Sequence, residues 1–354
     1  MDVTSSSFSD QRVRFGAGMR HALADEMERL GTQRALLLST AHQADVIHEI
    51  SSSLGGRAAG LYPNAKMHTP VAVTEDAERK LREIEADCVI AIGGGSTTGL
   101  AKALALRTSL PQIIVPTTYA GSEATPILGQ TENGMKTTMT EPRLLPDVVL
   151  YDPELVVTLP VALSVASGLN AMAHAVEALY AEARTQEVID VAVSGLKAFS
   201  TGLPRVVETP SDLAAREETL RGAWSCGAVL GKVGMALHHK LCHTLGGSFD
   251  LPHAETHAII LPHAIHHNAS AAATELEPIT DILGGEAPGP AMWDFAKSLG
   301  APLALKDLGV REDDLDTAAD LAVTKPYWNP RPVTREDIRA LLQDAWSGTR
   351  PGTK

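Results

Sequence analysis

The chain has 354 residues, 44% of them hydrophobic and 21% charged, with a formal net charge of -13 at pH 7. That length exceeds what one hydrophobic core usually serves, so two domains of ordinary globular composition are expected. The acidity excludes nucleic acid as an expected partner, since phosphate backbones call for clustered Lys and Arg, and it makes any anionic ligand depend on a local pocket.

The opening MDVTSSSFSD has neither a basic nor an apolar stretch and does not read as a secretory signal. No run reaches the length of a membrane span. Cys88, Cys226 and Cys242 stand far apart without paired spacing, so a reducing cytoplasm is expected and Cys242 reads as a small buried core residue. A turn at Phe15 to Gly18 and a helical stretch through Leu30 lead to RALLLS, Arg34 to Ser39, a short buried strand. Helical material around His42 to Leu54, a break at Gly55 and Gly56, the strand-like AAGLY, a helix from Thr74 to Ala86 and the strand Cys88 to Ile92 follow. Apolar segments at Gln112 to Val115 and Val148 to Tyr151 extend this βαβ rhythm, which predicts a parallel sheet. From Ser164 onward helical patterns take over, with Pro204, Pro210 and Pro252 marking breaks. The domain boundary is expected near Pro153 to Pro160, and the polar tail after Trp346 is expected to be loose.

Two loops of the first half suit a nucleotide. The strand ending at Ile92 runs into Gly93, Gly94, Gly95 and Ser96 and then a helix from Thr97, which aims backbone amides and a positive helix end at whatever lies over the glycines. PTTYAGSEATP, Pro116 to Pro126, again follows a strand and is rich in hydroxyls. A tight turn without ligand is the competing reading of each loop, and their pairing favours the nucleotide. Neither loop is GxGxxG, and RALLLST ends without an acidic residue to hold a ribose diol, so a 2′-phosphate is not strongly excluded.

The second half concentrates imidazoles: of 13 histidines, His238, His239, His243, His253, His257, His263, His266 and His267 fall in one stretch. Upstream, Asn170, His174 and Glu177 share a helix face by spacing, and His239 and His243 share another just before an expected break at Gly246 and Gly247. His266 and His267 read as a solvated helix end, while His238 and His257 stay open between ligand and bystander. The group outlines a metal-type site in which the expected carboxylate is a neutral amide, Asn170.

These motifs carry a resemblance. GGGS followed by a helix with AK, the PTT loop ending in GSE, G-x-N-A-x-x-H-A-x-E from Gly168, H-x-x-x-H-x-x-G-G from His239, and the PHA and LPH segments resemble the iron-containing alcohol dehydrogenase superfamily through almost the whole chain. The resemblance implies a doubly wound dinucleotide-binding α/β domain over 1–157, then an all-α substrate and catalytic domain over 158–354, with substrate and nicotinamide meeting between them and a homodimer as the common assembly. The usual ligands, one Asp and three His, match Asn170, His174, His239 and His253, and the Asp that usually follows GGGS matches Gly99. Both departures, with PTTYAGSE, LHHKLCHTLGG and PYWNPR, make the chain similar to one branch, the maleylacetate reductases, which reduce a carbon–carbon double bond. The cofactor contacts so implied are Ser39, Thr40, Gly93, Gly94, Gly95, Ser96, Thr97, Thr117, Thr118, Tyr119, Ser122 and Lys136, for NADH or NADPH.

The chemistry tolerates the missing carboxylate. Maleylacetate has a ketone conjugated to its double bond, so hydride at the far alkene carbon leaves an enolate that hydrogen-bond donors can hold in place of a Lewis acid. His243 is the first choice for proton donor or enolate stabiliser, with His239 or His253 in reserve. Lys240 and Arg331 are the expected partners of the two substrate carboxylates, and Tyr327 and Asn329 are expected to orient the substrate. No metal is expected. The alternatives are a metal-dependent alcohol or polyol dehydrogenase in which Asn170 is a ligand, and a nucleotide-binding protein without catalysis.

Overall fold

The computed structural model describes residues 3–4, 8–132 and 135–353. The chain divides into two compact units, Met1–Leu159 with Ser211–Gly231, and Pro160–Pro210 with Lys232–Lys354. In order, the first unit contains β1 (Val3–Thr4), β2 (Arg12–Phe15), α1 (Leu23–Arg29), β3 (Ala35–Leu38), α2 (Ala44–Leu54), β4 (Ala58–Tyr62), α3 (Val71–Glu83), β5 (Cys88–Gly93), α4 (Gly95–Thr108), β6 (Gln112–Pro116), β7 (Ile127–Glu132), β8 (Met135–Thr140) and β9 (Val148–Tyr151). The second unit opens with α5 (Val161–Tyr180) and α6 (Gln186–Glu208). The chain returns to the first with α7 (Leu213–Leu230), and the second ends with α8 (Leu237–Phe249), α9 (His253–Asn268), α10 (Ala273–Leu283), α11 (Pro288–Ser298), α12 (Asp314–Val323) and α13 (Arg335–Ser347). Among the described residues no helix is long and apolar enough to cross a membrane.

The main sheet has the order β1-β2-β9-β6-β5-β3-β4, parallel throughout except for β1 against β2. Strands β3, β5, β6 and β9 are buried along their whole length, which is why they read as continuous apolar runs and not as alternation. Leu37, Ile90, Ile92, Ile113 and Val115 form one core with Met27 of α1 and Ile47 and Ile50 of α2. From β3 the chain goes outward to β4, then crosses back to β5 on the other side of β3. Connections that diverge in this way open a crevice at the carboxyl ends of β3 and β5, where doubly wound sheets take their ligands. The loops at 39–40, 93–96 and 117–122 leave those ends and that of neighbouring β6.

Helix α7 corrects the expectation of one uninterrupted helical domain from 158 onward, because its contacts lie with the Pro116–Pro126 loop of the first unit. Gly227 of α7 meets Gly121 backbone to backbone, and a Cβ at Gly227 would collide with the Gly121 carbonyl oxygen. Arg216 is 0% exposed; its Nη1 donates to the Tyr119 hydroxyl at 2.9 Å and its Nη2 to the Val157 and Leu159 carbonyls. On the loop's other flank, Lys102 of α4 donates to the carbonyls of Ser122, Thr125 and Ile127 at 2.6, 2.8 and 2.9 Å.

In the second unit α5 is buried at every residue from Ser164 to Tyr180, the signature of a central helix. Leu241, Ile260, Leu315, Ala319, Ile338 and Leu342 join α8, α9, α12 and α13 in one core. Three local expectations are overturned here. Pro204 does not break α6, which runs on to Glu208 because Leu203 and Val206 are buried and offset the lost backbone bond. Gly246 and Gly247 lie inside α8, which instead ends where Asp250 turns left-handed at φ 51°. The tail is anchored: Pro351 is buried and Arg350 holds Asp294 through two bonds of 2.9 and 2.7 Å. Helix α3 begins and ends earlier than the expected Thr74 to Ala86, and the β7–β8 hairpin went unpredicted.

Replacing Gly227 by Ala should lower the unfolding free energy by about 1–3 kcal/mol, the usual cost of overpacking, read from urea midpoints; an unchanged midpoint would show that the loop can move aside.

Candidate active site

In the first unit α4 starts directly after β5, with Gly94 as its N-cap. A Cβ at Gly94 would meet the Thr118 side chain at 2.8 Å, whereas one at Gly95 would meet nothing within 4 Å, so the helix end lies open above the second of these glycines. Thr117 N donates to Gly93 O at 3.1 Å and Gln43 Nε2 to Thr117 Oγ1 at 2.6 Å, which ties the three loops together. The Thr97 hydroxyl is buried with no partner. An open helix N-terminus with a spare hydroxyl beneath it fits a pyrophosphate.

Several expected contacts take other roles. Tyr119 is wholly buried and its hydroxyl is held by Arg216, so it braces the loop and does not face a ligand. Ser39 is buried with its hydroxyl on the Thr40 carbonyl, leaving Thr40 as the more accessible of the pair. The Lys136 side chain lies outside the described residues. At Gly99 any side chain would strike the Thr69 hydroxyl.

In the second unit Asn170, His174 and Glu177 lie on α5, His238, His239, Lys240, Cys242 and His243 on α8, and His253 and His257 on α9. Glu177, 1% exposed, accepts from Ala236 N at 2.7 Å, His239 N at 3.3 Å and His239 Nδ1 at 2.7 Å. It therefore caps α8, whose own N-cap Ala236 has no side chain able to do so, and orients His239. With Nδ1 taken, His239 Nε2 is buried without a partner, as are Asn170 Oδ1 and His174 Nδ1. The His174 and His239 rings stack at 5.1 Å. His238 Nε2 lies 2.9 Å from His257 Nδ1 and 3.6 Å from Cys242 Sγ, and the His257 ring is 4.3 Å from that of His253. His243 is exposed, with Nδ1 at 3.1 Å from the Tyr327 hydroxyl.

The loop before α13 only partly joins this group. Asn329 and Asn268 exchange amide bonds of 2.9 and 2.7 Å, and Asn329 also bonds Leu237 N and Arg331 O, so its polar atoms hold the loop down. Arg331 donates to His267 O and pairs with Asp337 at 3.2 Å, which turns it to the same structural task. Lys240 donates to Thr324 O at 2.9 Å and lies 5.8 Å from the Tyr327 ring. Trp328 is 43% exposed. Of the pair expected as a solvated helix end, His266 is exposed but His267 is buried. The member that sequence reasoning named without a role is Glu177; its signal is a lone carboxylate in the run LNAMAHAVEALY, which holds no other acidic residue.

Burial, then neighbouring imidazoles, holds His174, His238 and His257 well below the ordinary histidine value, and burial takes His263 and His267 down to about 4. The donor set at the matched ligand positions is an amide and three imidazoles, one of them, His253, exposed, and the carboxylate of Glu177 on the same helix as Asn170 and His174 is spent on α8. That uncharged set is a poor fit for a resident iron ion.

The buried imidazoles have a consequence for stability. Their folded values are depressed, so below about pH 6.5 the unfolded chain binds protons that the folded one refuses; stability is full above that pH and is lost as pH falls, by up to about 1.4 kcal/mol per pH unit for each ring. Urea midpoints of chelator-treated protein should therefore drop between pH 7.5 and 5.5, and a flat profile would mean that the rings find protonated-state partners.

Two family models match the chain, Iron-containing alcohol dehydrogenase over residues 10–153 and Fe-containing alcohol dehydrogenase family, C-terminal, over 164–346. A maleylacetate reductase of Rhizobium sp. (strain MTP-10005) is 56% identical, covering 96% of this chain and 97% of its own. The crystal structure of maleylacetate reductase from Agrobacterium tumefaciens superposes with a TM-score of 0.95 at 55% identity, covering 99% of this chain and 98% of that one. At 20% identity and a TM-score of 0.88, the structure of sulfoacetaldehyde reductase from Bifidobacterium kashiwanohense in complex with NAD+ shares the fold over 100% of both chains. The chain is thus an oxidoreductase that belongs to the iron-containing alcohol dehydrogenase family and, within it, is similar along nearly its whole length to the maleylacetate reductases.

Proposed function

We propose that this enzyme reduces the carbon–carbon double bond of maleylacetate to 3-oxoadipate with NADH or NADPH and without a required metal, in the breakdown of aromatic compounds. The likeness to maleylacetate reductases supports the substrate, and the sulfoacetaldehyde reductase complex with NAD+ supports a nicotinamide cofactor. The observation that carries the reading is the neutral set of buried atoms at the metal positions, Asn170 Oδ1, His174 Nδ1 and His239 Nε2, with the nearby anion turned away onto α8.

A nicotinamide cofactor held at the open end of α4 by Gly94, Gly95 and Thr97 would supply the hydride taken up by the alkene carbon beta to the ketone. The alkene pair then shifts to the bond between the alpha carbon and the ketone carbon, the carbonyl pair moves onto oxygen, and the resulting enolate needs donors in a dry setting. His243 delivers the proton to the adjacent carbon, and its contact with the Tyr327 hydroxyl gives it a route for replacement from solvent. Lys240, beside that pair, is the cation for a substrate carboxylate. Because Arg331 and Asn329 are engaged in the loop, they support the site from behind. Thr40 follows β3 with no acidic neighbour to repel a 2′-phosphate, which is the basis for including NADPH. A cytoplasmic homodimer completes the proposal.

The deciding assay follows NADH absorbance with freshly made maleylacetate, with and without chelator. Equal turnover in both is expected, whereas activity lost to chelator and restored by iron or zinc would return the metal-dependent alternative. His243→Ala should lower kcat by about 10²–10⁴ with NADH affinity unchanged, and Lys240→Ala should raise KM for the dianion more than it lowers kcat.

A further inference from the structure

We infer that His257 is a further catalytic residue of this site: its Nε2–H donates to the substrate oxygen that becomes anionic, and His238, with Cys242 beside it, sets the tautomer that puts the proton there. The inference rests on the reaction proposed above. His257 lies one helical turn beyond His253, is 1% exposed, and has ring centroids 4.3 Å from His253 and 5.2 Å from His239, so it borders the matched ligand positions without being one.

Two neutral rings carry one N–H each, and the 2.9 Å contact between His238 Nε2 and His257 Nδ1 uses one of them. If His257 donated, one lone pair on His238 Nε2 would serve both His257 and the Cys242 thiol at 3.6 Å, and the His238 proton would sit on Nδ1, buried with no acceptor. If His238 donates, its single N–H lies between two acceptors, His257 Nδ1 and Cys242 Sγ. Either arrangement leaves one orphaned N–H, on His238 Nδ1 or on His257 Nε2, so the Cys242 contact decides: one N–H can be shared by two acceptors, whereas the single lone pair of a ring nitrogen cannot serve two donors. The one N–H left unpaired is on His257 Nε2, which has no partner in the protein. A buried donor without an acceptor costs about 1–3 kcal/mol, and an arriving oxygen that gains charge during reaction relieves that cost most in the transition state.

His238, Cys242 and His257 also have ligand atoms all within 4.8 Å of one another, so a metal is the competing occupant. Two nitrogens on one tetrahedral zinc at its usual bond lengths stand roughly 3.3 Å apart. The observed 2.9 Å is shorter and is a hydrogen-bond distance.

The test pairs two substitutions. The amide nitrogen of Gln can take the place of a histidine Nε2, that of Asn only the place of Nδ1. His257→Asn should lower kcat on maleylacetate by about 10²–10³ with KM within about threefold, and His257→Gln should recover at least about tenfold of the loss, with NADH affinity unchanged in both. Full activity in the Asn variant, no advantage of Gln over Asn, or an effect confined to KM would overturn the role. A second readout needs no variant: in unmutated protein labelled with 15N histidine, His257 should show the Nε2–H tautomer, and an Nδ1–H tautomer overturns the assignment. So does stoichiometric Co²⁺ binding with a thiolate charge-transfer band that Cys242→Ser abolishes. If the unmutated protein fails to oxidise NADH with maleylacetate, the reaction reading fails, while the tautomer still reports on His257.

Discussion

The histidine site depends on one buried carboxylate. Glu177 sits in the last turn of the buried helix α5, where an unpaired charge would cost several kcal/mol, and three N–H groups from the start of α8 satisfy it. The same three bonds fix where α8 begins, and the positions of His238, His239 and His243 follow from that. They also fix which nitrogen of His239 is spent, so that Nε2 is left toward the neighbouring imidazoles. An anion is therefore present next to the site but used up on its far side, and the atoms that remain unpaired are neutral. A substrate with two carboxylates would be repelled by a free aspartate at position 170; the amide there removes that repulsion.

The first unit reaches its order by a different route, through close backbone approach. The loops at 39–40, 93–96 and 117–122 leave three neighbouring strands, but loops rich in Ser, Thr and Gly have little core of their own. They are held from both flanks, by the ammonium of Lys102 bonding two carbonyls of the Pro116–Pro126 loop and that of Ile127 just beyond it, and by α7 with Gly227 against Gly121 and Arg216 on Tyr119. Two fully buried cations thus serve as scaffolding, each with oxygen acceptors in place of water.

Sequence periodicity was enough to read the parallel sheet, because β3, β5, β6 and β9 are buried on both faces and are short unbroken apolar runs. It could not show that α7 belongs with the first unit, since an apolar helix face carries no mark of which core it joins. Pro204 and the pair Gly246–Gly247 failed as breaks for a related reason: local propensity is worth about 1–3 kcal/mol per residue, and burial of Leu203, Val206 and Leu245 outweighs it. In the site, residue type indicated the histidines, but not which polar groups were already engaged. Arg331, Asn329 and Tyr119 have the right chemistry to meet a ligand, and each is occupied by a partner distant in sequence, 64, 61 and 97 residues away. Glu177 escaped notice as a site residue for the converse reason, since its partners lie 59 and 62 residues on.

The two departures from the family pattern, Gly99 and Asn170, each remove a carboxylate, and the structure shows what each replacement entails. At Gly99 the space is closed by the Thr69 side chain, held at a left-handed φ of 45° that a β-branched residue adopts only under constraint, so an aspartate could not return without moving it. At Asn170 the amide oxygen is buried and without a partner among the described residues. A carbonyl or alcohol substrate needs an electrophile strong enough to stabilise an alkoxide, which is the service a divalent ion gives. A conjugated oxo-alkene spreads the incoming charge over carbon and oxygen before any protein group acts, so oriented neutral donors can suffice. In that light the amide at position 170 is the change expected of a site whose substrate already carries the negative charge and the polarised bond.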